Sequence, residues 1–539
     1  MKKNTHTRRM AHRPLRSLLL TLLIVTTTGG YAQFGGFGFP PMPEGGMGMP
    51  DMGSMLPAVK HTKVGELKSN LPIITITTDT ALNAREKVTA HMRTEGYDGL
   101  IGIKLRGNSS LSFNQKKYTL ETRGDDGKEQ DVSLLGMPAH SDWVLLAPYN
   151  DVSMMRDPLA FELWREMGHW GPRTRMVELV MDGEYHGIYI LCEAIKRGAE
   201  RVNISKLKKT DTTGRDVTGG YLLRIDTFDE NDATFTSKVP GIGEGSMSSE
   251  VIWSCIYPKK KNLQPEQMAY IQSYVDSMET AIQADDFMDS EKGYAHFIDV
   301  PSFVDYFIHT ELSMNADGYK RSAYFYKEKL KADGTGGKMV AGPVWDYNLA
   351  YGNCNFANAN NPEAWCFEGS SNNPTPAMWQ RLLQDPAFRK AVKSRYQELR
   401  KSVLSTKHLN ELIDRQAKLL AQARDRHFKE YPELLVSEEK AKASQETPAT
   451  QGGFGMFGVF GMGGGFGMGE GGFDPVGMFA AYRVSSYEEE IGILKKWFTD
   501  RLAFLDKNIA RFDKDWEPRI QQPVERKMQF PAWPAPAPF

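Results

Sequence analysis

The chain has 539 residues, enough for two or more lobes with substantial cores. Its 66 Lys and Arg against 67 Asp and Glu leave a net charge of -1, which excludes a general nucleic-acid binder, whose signature is a basic excess. A hydrophobic share of 40% fits a soluble globular protein.

In chain order, the first element is a targeting segment. Lys2, Lys3, Arg8, Arg9, Arg13 and Arg16 form a basic opening, and Leu18 to Val25 is a short apolar run. Gly30-Tyr31-Ala32 puts small residues where signal peptidase reads, so cleavage is expected before Gln33 and the mature protein is expected to be exported. No other stretch approaches the length of a membrane span. Residues 33–60 are rich in Gly, Pro and Met and read as a spacer.

From Leu71 to Arg123 the pattern is strand-like, with Ile73-Ile74-Thr75-Ile76-Thr77 as the first β-rich run. Gly102 to Arg106 leads into the turn Gly107-Asn108-Ser109-Ser110, and Lys116 to Glu121 is the next strand. Met155, Leu159 and Leu163 predict a helix over 154–167. Met176–Val180 and Tyr185–Cys192 read as a hairpin around Asp182-Gly183, and Gly220–Ile225 as a further strand. The second half is mostly helical. Met268, Ile271, Val275, Met278 and Ile282 make one apolar stripe behind Pro265, a good first-turn residue. Further helices are expected over 302–312, 379–383, 387–403 and 409–428. A second Gly/Phe/Met-rich stretch, 452–478, reads as a mobile insertion or a self-association segment. Ser485-Ser486-Tyr487-Glu488-Glu489 then caps a last helix, and a Pro-rich tail follows from 516. The expected organisation is an α+β domain over 61–430, sheet-rich to about 260 and helical beyond, with an insertion at 431–484 and a returning helix at 485–515.

Four cysteines in an exported chain make disulfides feasible. Cys354 and Cys366 are the best candidate pair, Cys192 reads as a buried thiol, and no Cys-x-x-Cys spacing points to zinc.

The chemistry-bearing residues lie on both sides of the expected cleft. Asp317 and Asp346 flank one β-hairpin, so they meet in space, and paired carboxylates are costly to ionise without a cation between them. Asp346 with Asn348 offers oxygen ligands for magnesium, or else an Asx turn ending a strand. Asp317 could orient or deprotonate an attacking hydroxyl, or simply form the turn before Gly318. In the first half, Gly107-Asn108-Ser109-Ser110 could lay backbone N–H groups against phosphate. Lys116 could reach phosphate oxygens with Glu193 as its acidic partner, or be a solvated strand lysine. Lys116 and Lys117 are adjacent and point to opposite faces of a strand, which leaves the choice between them open.

Taken together these residues resemble the CotH kinase family. The likeness runs through Arg106 to Ser110 with Lys116-Lys117-Tyr118, and Leu134-Leu135-Gly136 with Asp142 to Leu145. It continues through Asp151 with Met155-Arg156-Asp157, Gly183 to Tyr189 with Glu193, and Gly219 to Leu222. It closes with Asn315-Ala316-Asp317 and Gly342 to Asp346. The resemblance implies an atypical protein-kinase-like fold and transfer of phosphate from ATP with Mg2+ or Mn2+ to Ser or Thr of a protein substrate. It implies Asp317 as the catalytic aspartate and Lys116 as the phosphate-binding lysine paired with Glu193. The turn residues Asn108, Ser109 and Ser110, together with Arg156, are candidate nucleotide contacts. Asp346 would be the main metal ligand, with Asn348 and Ser322 as weaker ones. Ser322 stands where an ordinary kinase has a metal-binding Asn. The competing expectation is an exported scaffold that keeps the fold as a binding surface, since ATP is scarce outside the cytoplasm.

Overall fold

The computed structural model describes residues 60–242, 250–369, 373–446, 476–477 and 479–513, all within the unit spanning 42–539. The expected leader, the spacer before residue 60, residues 452–475 of the Gly/Phe/Met stretch and the Pro-rich tail lie outside the described residues.

Eight strands open the fold: β1 (Thr62–Lys63), β2 (Ile73–Thr77), β3 (Val88–Thr94), β4 (Tyr97–Arg106), β5 (Lys117–Thr122), β6 (Asp142–Leu146), β7 (Thr174–Met181) and β8 (Glu184–Glu193). They pair in the order β1-β8-β6-β5-β4-β3-β2-β7, and β7 also pairs with β8. The seven strands β2 to β8 therefore close into a barrel, and β1 adds outside it along β8. This overturns the kinase-like sheet lobe that the resemblance implies; the α+β character alone stands. The closing pair is β2 with β7, the one parallel pairing of the barrel, with Ile73 opposite Glu178 and Ile76 opposite Met181. Alternate residues of each strand fill the inside: Ile74 and Ile76, Ile101 and Ile103, Tyr118 and Leu120, Trp143 and Leu145, Tyr189 and Leu191. A seven-strand barrel is narrow enough for side chains to pack its interior solid.

The outer face of the barrel is apolar where Val144, Leu146, Ile188, Ile190 and Cys192 face outward, and it is buried against the rest of the molecule. Helix α1 (Arg156–Glu166) lies there. A second, five-stranded sheet follows, built from β9 (Tyr221–Ile225), β10 (Ala233–Thr236), β12 (Ile252–Tyr257), β13 (Ala323–Lys327) and β14 (Met339–Ala341). Its order is β10-β12-β9-β13-β14, all antiparallel, so the second half of the chain supplies two of its strands. The short β11 (Gly241–Ile242) and β15 (Thr375–Pro376) pair with each other.

The helices are α2 (Pro265–Gln283), α3 (Tyr294–Phe297), α4 (Val300–Ser313), α5 (Ala377–Leu382), α6 (Pro386–Leu399), α7 (Thr406–Leu420), α8 (Arg424–Glu430), α9 (Glu438–Glu446) and α10 (Tyr487–Ile509). Their starts are written locally. Pro265 begins α2 behind a Gln264–Gln267 capping box, and Asp299 caps α4 by accepting from the Ser302 N–H. Ser486 caps α10 by accepting from the Glu489 N–H. The helix expected over 409–428 is broken in two at residues 421–423. Helix α10 packs on α7, α4 and α6. Two fully buried guanidinium groups tie it to the core: Arg156 Nη1 donates to Glu490 Oε1 at 2.6 Å, and Arg501 Nη2 to Glu311 Oε2 at 3.2 Å. All four cysteines are free, so the expected Cys354–Cys366 bridge is absent. The Cys354 thiol donates to the Phe356 carbonyl and the Cys366 thiol to the Asn315 carbonyl.

Candidate active site

Strands β4 and β5 of the barrel pair with Arg106 opposite Lys117. Because Tyr118 and Leu120 point into the barrel, Lys117 and Thr119 point out of it. Lys117 faces the second sheet, where its ammonium stands 3.9 Å from Asp346 Oδ1 with a side chain only 10% exposed. The Arg106 guanidinium lies over the Trp345 ring, 5.3 Å from its centroid. Between the two strands the chain makes a tight turn. Gly107 has φ +121°, and a Cβ there would stand 2.0 Å from Ser110 Oγ, so only glycine fits. Residues Ser109–Ser112 form a 3-10 turn behind it. Lys116 Nζ donates to the Leu111 carbonyl at 2.7 Å, pinning the same loop.

The opposite wall comes from three connections. At the end of β9, Arg224 pairs with Asp226 at 3.2 Å and with Asp232 at 2.8 Å, both just beyond the strand. After α4, Met314 takes the left-handed conformation (φ 47°), which ends the helix and delivers Asn315 and Asp317. The Asp317 carbonyl accepts from the N–H groups of Lys320 and Arg321, and Arg321 Nη1 lies 3.5 Å from Asp317 Oδ1. After β14, Asp346 has φ 66°. Its carbonyl accepts from Asn315 Nδ2 at 3.2 Å, and the next N–H, of Tyr347, donates to Asp157 Oδ1 at 2.6 Å. The hairpin of β13 and β14, with Phe325 opposite Ala341, thus returns the Asp346 loop to the Asp317 loop. Three of the non-glycine residues with positive φ, Met314, Ser322 and Asp346, lie on these connections. Such conformations persist only where surrounding contacts over-determine them, and they cluster at functional sites.

The electrostatics bind these pieces into one unit. Burial pushes the Asp157 carboxyl up to about 7, with the Lys117 charge opposing and the Asp346 charge adding to the rise. Burial also raises Asp317, against Arg321 and Lys320, and the charges of Asp346 and Asp226 raise it further. Asp226 is raised by burial and by Asp346, while Arg224 and a backbone hydrogen bond from Ser322 work the other way. Four carboxylates therefore sense one another across the space that Lys117 faces.

The expected site residues fall into three groups. Asp317 and Asp346 come together, as described. Ser322 is nearby, with φ 49° and its backbone on Asp226. The Asn348 amide nitrogen donates to Asn150 Oδ1 at 2.9 Å, and its carbonyl accepts from Asn353. Lys116, Asn108 and Ser110 belong to the loop above Lys117, with Asn108 exposed, Ser110 buried, and the Ser109 side chain outside the described residues. Glu193 and Arg156 lie elsewhere. Glu193 stands opposite Trp143, and Trp143 opposite Leu120, which puts Glu193 at the other end of the barrel from Lys116. Its carboxylate is taken by Arg173 at 3.1 Å and Arg201 at 3.3 Å. Arg156 has a side chain 0% exposed, held by Asp151, Glu490, Tyr482 and the Ala350 carbonyl, so it braces the core and has no surface for a nucleotide. Asp157, Asp226, Arg106 and Arg224 join the site without having been picked out as site residues in the sequence. Asp157 was legible only as the neighbour of Arg156 in a shared motif, and Asp226 follows an apolar strand with no local mark.

Among the described residues no group of three or more His, Cys, Asp or Glu side chains could enclose a metal ion. Magnesium asks for less, binding through one or two carboxylates together with waters and substrate phosphates. Asp346, its carboxylate 45% exposed, supplies a hard oxygen donor of that kind, and a divalent cation there would offset the Asp346 charge, which adds to the rise that burial causes in Asp317.

A family model described as CotH kinase protein matches residues 103–505, well over half of the chain. The match runs from within β4 to within α10 and includes every residue of the site above. No curated protein matches the chain.

Proposed function

The chain belongs to the CotH kinase family, and from that premise we propose that it transfers the terminal phosphate of ATP, with a divalent metal, to a Ser or Thr hydroxyl of an exported protein. The observation that carries the proposal is the meeting of Lys117 with Asp346 beside Asp317.

Lys117 and Arg106, on the barrel wall, supply positive charge for the nucleotide phosphates, under the Gly107 turn. Asp346 would hold the divalent metal, which would neutralise charge on the phosphates. Asp317 accepts or orients the proton of the attacking hydroxyl; its raised proton affinity brings it closer to neutral pH, where a general base works best. Asp157 holds the Tyr347 N–H and so fixes the backbone that aims Asp346. Little covalent chemistry falls to the protein in such a transfer, and a pre-set frame of charges is what it contributes. The basic and apolar opening residues support export.

The test is thermal unfolding with and without ATP and magnesium or manganese, followed by transfer of radiolabelled phosphate to Ser peptides. Nucleotide at a hundred times its Kd should add about 2.7 kcal/mol of stability. No stabilisation by any nucleotide with any divalent metal would leave the scaffold reading in its place.

A further inference from the structure

The turn between β4 and β5 is anchored by a distant part of the chain. Phe113, at its far end, is 3% exposed and sits among Tyr149, Tyr431, Leu434 and Val476. The Phe113 N–H donates to the Ser110 carbonyl at 3.2 Å, so the seat of this ring fixes the 3-10 turn. Next to it, Asn114 Nδ2 donates to Glu433 Oε1 at 2.8 Å, an oxygen that also accepts from the Tyr149 hydroxyl at 2.6 Å.

Residues 476–484 return the chain from the Gly/Phe/Met-rich stretch to α10 and form a strap across this anchor. The Val436 N–H donates to the Val484 carbonyl at 3.0 Å and the Arg483 N–H to Ser444 Oγ at 3.0 Å, which fasten the strap to the segment before it. Phe479, half-buried, reaches both sides of the site through different atoms. Its ring meets Phe113 edge-on, with centroids 6.0 Å apart and planes at 73°. Its carbonyl accepts from the Asn355 N–H at 3.1 Å. Asn355 belongs to the connection that follows Asp346, where Asn353 Nδ2 donates to the Asn348 carbonyl at 2.8 Å and the Asn150 carbonyl at 2.7 Å. A ring contact on the barrel side and a backbone contact on the second-sheet side therefore meet in one residue. An edge-to-face aromatic pair is directional as well as apolar, so it fixes where the Phe113 end of the turn stands.

We propose that Phe479 is a positioning residue for the nucleotide, setting the spacing between the turn at residues 107–112 and the connection after Asp346. The proposal rests on the reading of that turn as the one that faces the phosphates. A misplaced turn loses contacts made equally with bound nucleotide and in the transition state, which raises KM and leaves kcat in place.

The test compares full-length wild type, Phe479→Ala and Phe479→Tyr. In hydrogen exchange read by mass spectrometry, the amides of residues 107–116 should exchange at least about fivefold faster in Phe479→Ala, with those of β2 and β3 unchanged. Unchanged exchange at 107–116 overturns the proposal. So does equal acceleration throughout the barrel, which would make Phe479 an ordinary core residue. KM for ATP should rise about tenfold in Phe479→Ala with kcat within about twofold of wild type, and Phe479→Tyr, which keeps the ring, should recover most of the loss. A fall in kcat at constant KM, or a Tyr variant as impaired as the Ala variant, counts against the idea. Should Phe479→Ala not fold, Phe113→Leu and Phe479→Leu carry the test. Each should raise the Kd for ATP with magnesium severalfold, and the pair together by less than the product of the two, because both remove one shared contact. Independent effects that multiply in full would overturn the link. A wild type that binds no nucleotide refutes the phosphate reading of the turn, and the exchange comparison then still decides whether Phe479 positions it.

Discussion

Lys117 Nζ stands 3.9 Å from Asp346 Oδ1, across the junction between the outside of the barrel and the second sheet. The adjacent Lys116 shares the parity of Tyr118, whose ring points into the barrel, and spends its ammonium on the Leu111 carbonyl. The two lysines therefore predict different phenotypes. Lys117→Ala should weaken ATP binding at least about tenfold, since it removes a charge-assisted contact. Lys116→Ala should cost about 1 kcal/mol of stability, through the loop it pins, with a much smaller effect on ATP. Calorimetric titration of both variants decides it, and a larger loss of affinity in Lys116→Ala would reverse the assignment.

Asp346 adopts φ 66°, a conformation that Asn tolerates better than most residues. Asp346→Asn should therefore fold normally and isolate the effect of the charge. We expect phosphate transfer to fall by about a hundredfold or more, and nucleotide-induced stabilisation to lose its dependence on metal concentration. Normal transfer with an unchanged metal requirement would remove Asp346 from the metal site.

How much of this was legible in the sequence depends on the range of the interaction. The alternation of Ile74 with Ile76 and of Ile101 with Ile103 marks strands, and the structure forms them. That alternation is the same in an open sheet and in a barrel, however. Closure rests on Ile73–Ile76 lying beside Glu178–Met181, a pairing between distant segments with no local signature. Asp317 and Asp346 were readable as neighbours because a single hairpin joins their loops. Glu193 was not readable, because an acidic residue at a strand end looks alike whether it serves a nucleotide lysine or, as here, Arg173 and Arg201. The choice of Lys117 over Lys116 needed the sense of the β5 pleat, which is set by what fills the barrel.

The Asp157 carboxyl, pushed up to about 7 by burial against the opposing Lys117 charge, should leave a signature in the pH dependence of stability. In the unfolded chain it titrates near the ordinary value of about 3.9. Between those two values the folded protein keeps a proton that the unfolded chain has lost. The contribution to stability is complete below about pH 4, declines as pH rises toward 7, and is gone above it. Asp157→Asn removes that slope. Urea midpoints should therefore show the variant gaining on the wild type between pH 5 and pH 8, and a difference that stays constant over that range would show that Asp157 ionises normally in the fold.

Glu311 links the last helix to the loop that carries Asp317. It lies on α4, fully buried, and accepts from Arg501 of α10, from the Tyr319 hydroxyl and from the N–H groups of Cys366 and Phe367. Arg501 in turn donates to the Glu311 carbonyl at 2.7 Å and to the carbonyls of Pro362 and Ala364. Taking one partner away leaves the other charge buried and unpaired, which costs roughly 3–5 kcal/mol. Arg501→Met should destabilise by about that much in urea unfolding, and it should also loosen the Asp317 turn, because Tyr319 shares the same carboxylate. Adding Glu311→Gln to Arg501→Met should restore part of the loss, since the unpaired charge is then gone. A single-variant cost under about 1 kcal/mol would mean that the pair is solvated and that α10 is held by its apolar face alone.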